Sequence, residues 1–279
     1  MKPVFRGSHS REKTPVRTFS FRTVGEPREE AVLFVHGFMG SSRDWVELAP
    51  AACEGRYGIA VDLPGHGASV GLPAEAYTPA GASAGLARVL DDAGVRRAVL
   101  AGYSMGGRVA LHFALHHPER CAGLVLESAS PGLARASERA VRRTVDGRRA
   151  ERMCDDFGAF LDAWYRQPLF ASLARHEGLR ERMIEARRRN DPAELARALR
   201  GMGTGEMPSL WERLPCLGVA TLALAGALDA KYAALARRVA RSAPHATAAV
   251  VPHAGHNVHA ERPDAYLTHL RAFLQNLSV

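Results

Sequence analysis

The chain has 279 residues, 47% of them hydrophobic, so it is long enough to bury a sizeable core as one domain or as a domain with an insertion. No apolar stretch reaches membrane-spanning length, and the basic N-terminal residues 1–28 lack the apolar segment of a secretory signal, which together predict a cytoplasmic protein with no membrane partner. The net charge of +8 comes almost entirely from arginine, which indicates coding bias or an acidic small-molecule ligand and argues against a nucleic-acid partner.

Cysteine usage points to neither a disulfide framework nor a zinc site. The four cysteines are far apart and form no CxxC pair and no Cys/His metal spacing: Cys53, Cys121, Cys154 and Cys216. Free thiols fit a reducing compartment, in agreement with the expected cytoplasmic location.

The first predicted elements are two strands and a helix. Val16–Val24 predicts an antiparallel edge strand, and the wholly apolar Ala31–Val35 predicts a strand buried on both faces of a parallel sheet. Ser41–Asp44 then opens a predicted amphipathic helix that contains Trp45 and Leu48.

Strands and helices continue to alternate along the chain. Tyr57–Val61 predicts a strand, Pro79–Asp92 a helix and Gly123–Leu126 another strand. His66 lies in the loop after the first of these strands, where a histidine is more often structural than catalytic. This alternation implies a mostly parallel twisted sheet with helices on both faces, and ligands then bind at the carboxyl ends of the strands.

The most informative stretch is Gly102-Tyr103-Ser104-Met105-Gly106, which an apolar run enters and a helix-forming run leaves. This is the strand, turn and helix context of a G-x-S-x-G nucleophile elbow. The tight turn strains the serine backbone and leaves room only for glycine on either side, so Ser104 is the candidate nucleophile or base. The Met105 N–H, together with the Phe38 N–H from the loop after Ala31–Val35, is predicted to form an oxyanion hole.

The regular alternation of strands and helices stops at Ser130. Residues 130–213 contain no buried-strand run and are rich in arginine and aromatic residues, which predicts a helical cap inserted into a core formed by residues 1–129 and 214–279. Arg135, Arg139 and Arg142 share one helix face, most of which we expect to be solvated.

Two further strands follow the cap, at Val219–Ala225 and Thr247–Val251. Asp229 comes just after the first and His256 just after the second, so both are predicted at the same sheet edge as Ser104. The chain order Ser, Asp, His is the order found with nucleophile elbows of this kind.

Other residues compete for the same roles. Glu127, after the intervening strand, is a rival acid, and His253 and His259 are rival bases. Gly255 directly before His256 lets the imidazole swing over the serine, which favours His256.

These three residues predict a catalytic machinery but not a single reaction. Ser104 alone holds its proton too tightly near neutral pH, whereas His256 can accept that proton and Asp229 can hold the imidazole in the useful tautomer. An adjacent oxyanion hole stabilises a negative oxygen, whether in a tetrahedral intermediate or in an enolate.

The chain resembles the α/β-hydrolase superfamily, which implies an α/β fold with an inserted helical cap. The motifs that carry this resemblance are His36-Gly37-Phe38, Asp62-Leu63-Pro64-Gly65-His66-Gly67, Gly102-Tyr103-Ser104-Met105-Gly106-Gly107 and Ala254-Gly255-His256. Narrower matches resemble the family of 2-succinyl-6-hydroxy-2,4-cyclohexadiene-1-carboxylate synthases of menaquinone biosynthesis. They are Gly106-Gly107-Arg108-Val109-Ala110, Pro131-Gly132-Leu133, Gly255-His256-Asn257-Val258-His259 and the cap string from Trp164 to Leu173.

The narrower resemblance implies a carbon–oxygen lyase that removes pyruvate from a cyclohexene carrying three carboxylates, without a metal or an organic cofactor. Ser104, relayed by His256 and Asp229, would be the base, and Phe38 and Met105 would hold the enolate oxygen. By similarity, the residues that bind the polycarboxylate substrate would be Tyr103, Arg108, Arg142, Trp164, Arg187 and Lys231.

Two other functions remain open from the sequence. A serine hydrolase acting on an ester, thioester or carbon–carbon bond of an acidic small molecule would use the same triad. A non-catalytic binding protein on this fold is the third possibility, and an intact triad argues against it.

Overall fold

A computed structural model describes residues 6–7 and 18–277 of the protein. Its eight strands are β1 (Arg6–Gly7), β2 (Phe21–Val24), β3 (Glu30–Val35), β4 (Tyr57–Val61), β5 (Arg97–Tyr103), β6 (Cys121–Glu127), β7 (Thr221–Gly226) and β8 (Ala246–Val251). They form one sheet in the order β1-β2-β4-β3-β5-β6-β7-β8. The β1–β2 and β2–β4 pairs are antiparallel, and every other neighbouring pair is parallel.

Ten α-helices connect and cover the strands. They are α1 (Ala49–Ala52), α2 (Pro79–Asp92), α3 (Met105–His116), α4 (Ala136–Asp155), α5 (Phe157–Tyr165), α6 (Leu179–Arg187), α7 (Pro192–Met202), α8 (Ala230–Ser242), α9 (Val258–Glu261) and α10 (Pro263–Asn276). Short 3-10 helices lie at Ser42–Trp45, Ala74–Tyr77, Pro118–Arg120, Pro168–Arg175 and Trp211–Cys216. The predicted fold class, a mostly parallel sheet between helices with a helical insertion, is confirmed.

The central strands are apolar along their whole length because both faces of the sheet are covered. In β3, Leu33 and Val35 belong to the hydrophobic cluster on one face, and Val32 and Phe34 to the cluster on the other. This alternation follows from the two-residue period of a strand, which sends successive side chains to opposite faces. The two clusters cover both faces of the sheet and hold it in place. The loops that form the candidate site lie at the carboxyl ends of its parallel strands.

Four helices, α4 to α7, lie between β6 and β7, and we call them the cap helices. They share a separate hydrophobic cluster that contains Phe160, Leu161 and Leu195. Met39, from the loop after β3, is buried in the same cluster, so the insertion packs directly over the carboxyl edge of the sheet.

Three predicted elements differ from the structure. The single helix expected after Ser41 is divided into the 3-10 helix Ser42–Trp45 and α1, because Pro50 lies in the first turn of α1, where proline starts a helix rather than continuing one. The predicted strand Val16–Val24 is limited to β2 within the described residues, and β2 has β1 on its outer side. Residues 8–17 and most of the predicted basic N-terminal segment lie outside the described residues. The strand predicted to begin at Val219 begins at Thr221, after the turn that follows the last 3-10 helix.

Within residues 6–7 and 18–277, no helix combines the length and the apolar character needed to cross a bilayer.

Candidate active site

Ser104 occupies a strained turn between β5 and α3. Its backbone angles are φ 50° and ψ −106°, a conformation that a residue with a side chain rarely adopts. A Cβ atom at Gly102 would lie 2.7 Å from the Gly106 carbonyl oxygen, and one at Gly106 would lie 2.2 Å from the carbonyl oxygen of Val35. The two glycines are therefore required by space, and the turn they allow lifts the serine hydroxyl above the sheet edge.

The structure brings Ser104 together with the predicted acid and base. His256 Nε2 lies 3.1 Å from Ser104 Oγ, and His256 Nδ1 lies 2.7 Å from Asp229 Oδ2. Asp229 also caps α8, because its Oδ1 accepts a hydrogen bond of 3.1 Å from the Tyr232 N–H. A buried imidazole between a carboxylate and a hydroxyl has the geometry that activates a serine oxygen.

The rival acid and one rival base form a separate pair. Glu127 accepts hydrogen bonds from the His259 ring at 2.7 Å and from the His259 backbone N–H at 3.0 Å. Trp45 stacks on the His259 ring at 4.3 Å between centroids, so this pair is enclosed in the core. His253, the other rival, is exposed on the loop after β8. Neither rival histidine takes the position between Ser104 and Asp229.

The predicted oxyanion donors are the residue directly after Ser104 and a residue of the loop that follows β3. Met105 is the first residue of α3, so its N–H has no acceptor within the helix and is available to a ligand oxygen. Phe38 follows β3, with its ring 5.5 Å from that of Trp164 and 5.7 Å from that of His66. His66 is fully buried here, and burial lowers the pKa of its imidazole well below the usual value, as expected for a structural rather than a proton-transferring histidine.

The cavity above Ser104 is small and lies between core and cap. Its volume is about 50 Å³, little more than the space of a water molecule. Its core-side wall includes Phe38, Tyr103 and His256, and its cap-side wall includes Trp164, Phe170, Met183 and Arg187. A larger cavity of about 810 Å³ lies at the opposite ends of β3 and β5 and includes none of the triad residues.

Tyr103 and Lys231, both predicted to bind substrate, are placed differently. Tyr103 is buried on the cavity wall, and burial raises the pKa of its phenol well above the usual value, so it faces the site as a neutral hydroxyl. Lys231 lies in the first turn of α8 and is exposed, with its ammonium 5.6 Å from the Tyr232 ring. The Tyr232 ring in turn lies 4.6 Å from the His256 ring.

Arg108 is a buried cation that lacks a full set of partners. It lies one turn after Ser104 on α3, and only 8% of its surface is exposed. Its Nε finds no hydrogen-bond partner within the described part of the chain. Burial lowers the pKa of its guanidinium to about 10, and the positive charge of Arg142 acts in the same direction. A buried donor of this kind is suited to an anionic ligand.

Arg142 shares its carboxylate with a cap residue that the sequence analysis did not select. Arg142 Nε lies 2.8 Å from Asp146 Oδ1, and Arg149 Nη1 lies 3.3 Å from the same oxygen. Arg149 also donates to Gln167 Oε1 at 3.2 Å, with its guanidinium carbon 5.3 Å from the centre of the Trp164 ring. Two cations on one carboxylate leave an excess of positive charge beside a residue of the cavity wall. The seven-residue spacing from Arg142 on α4 was a signal that could have identified Arg149.

Arg187 lines the cavity but is already paired. Its two Nη atoms donate to Asp44 Oδ1 at 2.6 Å and Oδ2 at 2.9 Å, and its Nε donates to the Tyr165 hydroxyl at 3.3 Å. Burial alone would lower the pKa of Arg187, but the Asp44 carboxylate raises it above the usual value. This bidentate pair joins α6 of the cap to the 3-10 helix that follows β3 in the core.

Comparison with known proteins supports the fold. A family model described as the alpha/beta hydrolase family matches residues 32–268. The chain belongs to this family. A relative in Bacillus subtilis is 38% identical over 91% of this chain and 93% of its own length. A Serratia proteamaculans relative, named 2-succinyl-6-hydroxy-2,4-cyclohexadiene-1-carboxylate synthase, is 35% identical over 90% of this chain and 96% of its own length.

Two solved structures extend the comparison. MenH from S. aureus superposes with a TM-score of 0.87 at 32% identity, covering 94% of this chain and 99% of that chain. A thermophilic esterase from Thermogutta terrifontis superposes with a TM-score of 0.81 at 29% identity, covering 94% of both chains. Within the alpha/beta hydrolases, the chain therefore belongs to the group that contains the synthases, and the resemblance predicted from its motifs is confirmed.

Proposed function

We propose that this protein is a carbon–oxygen lyase that eliminates pyruvate from 2-succinyl-5-enolpyruvyl-6-hydroxy-3-cyclohexene-1-carboxylate, giving 2-succinyl-6-hydroxy-2,4-cyclohexadiene-1-carboxylate. The observation that carries the proposal is the Ser104 hydroxyl, 3.1 Å from the imidazole of His256, one turn before the buried and incompletely partnered Arg108. Ser104, activated by His256, can act as a base, and the nearby guanidinium of Arg108 can bind an anion. This combination suits removal of a proton from a polycarboxylate. The names of the relatives favour this reaction over others that the triad can perform.

The elimination begins with removal of the ring proton next to the succinyl ketone. His256 Nε2 takes the hydroxyl proton of Ser104, and the serine oxygen takes the ring proton. Asp229 accepts a hydrogen bond from Nδ1 and stabilises the positive imidazolium. The electron pair of the broken C–H bond moves onto the ketone oxygen as an enolate, which the N–H groups of Phe38 and Met105 stabilise.

The second step expels the leaving group. The enolate electron pair returns through the ring double bond, a new double bond forms, and the carbon–oxygen bond to the enolpyruvyl group breaks. The expelled enolate of pyruvate takes up a proton and becomes pyruvate, while His256 gives up the proton that it received. The serine forms no bond to carbon, so the residues that hold charge contribute most of the catalysis.

The arginines give each substrate carboxylate a cation. In this proposal Arg108 binds the carboxylate nearest the ring, and Arg142 and Arg149 offer the excess charge that Asp146 leaves uncompensated. Arg187 keeps its pair with Asp44 and lines the cavity, so its remaining N–H groups would be the ones available to a carboxylate. Tyr103 and Trp164 line the cavity and complete the surroundings of the substrate, whereas the exposed Lys231 is not among the residues that line it.

Substrate entry requires the cap to move. A cavity of about 50 Å³ cannot enclose a six-membered ring with three carboxylates, since sites for molecules of this size measure about 300–1,000 Å³. In the proposed division of the chain, residues 130–213 form the cap, and residues 1–129 and 214–279 form the core. The cap swings away to admit the substrate and closes again to exclude water.

The decisive experiment is release of pyruvate from the purified cyclohexene substrate, with ultraviolet detection of the conjugated diene. We expect Ser104→Ala to abolish the release, and Ser83→Ala, a buried serine on the distant α2, to keep the wild-type rate. Absence of pyruvate release by the wild-type protein at saturating substrate would refute the proposal.

A serine hydrolase acting on an acidic small molecule is the second candidate, favoured by the likeness to an esterase of 29% identity. In that case Ser104 would attack a carbonyl carbon and form an acyl-enzyme. Covalent labelling of Ser104 by a fluorophosphonate is expected for both enzymes and not for a non-catalytic binding protein. Ester hydrolysis faster than pyruvate release would favour the hydrolase.

A further inference from the structure

Glu261 is a buried carboxylate that the proposed reaction does not use. It ends α9, and only 4% of its surface is exposed. Its Oε2 accepts a hydrogen bond of 2.8 Å from the Gly255 N–H, and its Oε1 accepts one of 3.2 Å from the Asn257 N–H. These are the residues on either side of His256, so one carboxylate binds the backbone both before and after the catalytic base.

The same loop is closed by a third hydrogen bond in the opposite direction. The Glu261 N–H donates to the Asn257 carbonyl oxygen at 2.9 Å. Burying a carboxylate costs free energy unless it is hydrogen-bonded. The two hydrogen bonds that the Glu261 carboxylate accepts from the loop compensate the cost of its burial. The hydrogen bonds between Glu261 and this loop fix the backbone of residues 255–257. They thereby fix the position of the His256 Cα atom, from which the imidazole extends.

The cap packs against this loop from the other side. A Cβ atom at Gly255 would lie 1.9 Å from Ser172 Oγ, so the 3-10 helix Pro168–Arg175 is in close contact with the loop backbone. His176, directly after that helix, places its Nε2 3.8 Å from Glu261 Oε2. Glu261 therefore lies between the cap and the catalytic histidine.

We propose that Glu261 is a positioning residue of the triad, which holds the backbone on both sides of His256 so that the imidazole reaches Ser104 and Asp229 at once. His256 Nε2 lies 3.1 Å from Ser104 Oγ, and His256 Nδ1 lies 2.7 Å from Asp229 Oδ2. A displaced loop would lengthen at least one of these two distances. Misplacement by about 1 Å of a group distant from the chemistry can cost about 100-fold in rate. The effect falls on turnover rather than on substrate binding, because Glu261 touches neither the cavity nor the arginines.

The test compares Glu261→Ala and Glu261→Gln with a control, Glu194→Gln. Glu194 also accepts a backbone hydrogen bond, from the Gly71 N–H at 3.1 Å, but lies on α7 away from the triad. We expect kcat to fall about 100-fold in Glu261→Ala and about 10-fold in Glu261→Gln, which keeps the shape and one acceptor, with KM within about twofold. Glu194→Gln should lower the unfolding temperature and keep the wild-type kcat.

A second measurement distinguishes a positioning role of Glu261 from a loss of folded protein. It also does not depend on which substrate the enzyme uses. The inference rests on the triad of the proposed function, but the rate at which a fluorophosphonate labels Ser104 reports the triad whatever the substrate is. Labelling should slow in parallel with kcat, and the low-field proton signal of His256 Nδ1–H should broaden, in variants that remain folded at the assay temperature. Wild-type labelling in folded Glu261→Ala, or a fall in kcat explained by the unfolded fraction alone, would overturn the proposal. Failure of the wild type to release pyruvate while the labelling rates still differ would refute only the synthase assignment.

Discussion

Replacing Arg108 by methionine should make the protein more stable and its substrate binding weaker. Burial lowers the pKa of this guanidinium to about 10, whereas an exposed arginine stays above 12. At about 1.4 kcal/mol per pKa unit, the charged form costs the folded state about 3 kcal/mol. Because the pKa is lower in the folded than in the unfolded chain, this penalty is fully present at pH 7 and disappears only as the pH rises above about 10.

The free enzyme bears this cost, and in the proposed complex a substrate carboxylate compensates it. Arg108→Met has a similar length and no charge, so we expect the free energy of unfolding in urea to rise by about 2 kcal/mol. Hydrogen bonds to charged groups contribute about 1.5–3 kcal/mol each, so losing two of them should raise KM by at least about 100-fold.

The assay pairs urea unfolding with the kinetics of pyruvate release, and Arg148→Met is the matched control. Arg148 is exposed on α4, and its replacement should change neither quantity. A destabilised Arg108→Met, or a KM within about twofold of the wild type, would mean that Arg108 is held by internal partners and does not serve the substrate.

Three further outcomes are expected. Asp229→Asn should lower kcat about 10⁴-fold with KM nearly unchanged, because the imidazole loses its orienting carboxylate, and single-turnover kinetics would contradict this if the chemical step kept its rate. Arg149→Gln should raise KM about tenfold for the tricarboxylate while the exposed Arg148→Gln does not, and equal KM values for the two variants would remove Arg149 from the site. Asp44→Asn should lower the free energy of unfolding by about 3–5 kcal/mol, because it leaves the buried charge of Arg187 without its partner, and an unchanged urea midpoint would argue against that pairing.

The triad could be predicted from sequence because each member comes at or shortly after the end of a strand. Strands β5, β7 and β8 are short apolar runs in one parallel sheet, so their carboxyl ends share an edge wherever the helices run. Ser104, Asp229 and His256 follow those three ends, and their meeting depends on strand order alone. The bounds of α2 could also be predicted, since proline marks its first turn.

The partners of the arginines could not be predicted because they depend on how the cap sits on the core. Arg187 meets Asp44 across 143 residues of sequence, and no local pattern relates the two. The resemblance to the synthases implied that Arg187 binds a substrate carboxylate. The structure shows that Arg187 joins the cap to the core through its pair with Asp44. Glu127 and His259 were rivals for the catalytic roles because they also follow strand ends, and only the packing against Trp45 separates them from the triad.

The apolar wall that the cap places above Ser104 bears on the choice between elimination and hydrolysis. A hydrolase must admit water to an acyl-enzyme, whereas an enolate survives to expel its leaving group only when stray protons and water are kept away. Above Ser104, the cap residues Trp164, Phe170 and Met183 form one wall of a cavity of about 50 Å³. When the cap closes over a bound substrate, as proposed above, the donors of the oxyanion hole would act on the enolate in a surrounding of low dielectric constant, where each is worth more than in water. In the proposed complex Arg142 and Arg149 would extend this arrangement, because positive charge beside the apolar wall attracts carboxylates without hydrating the reacting carbon.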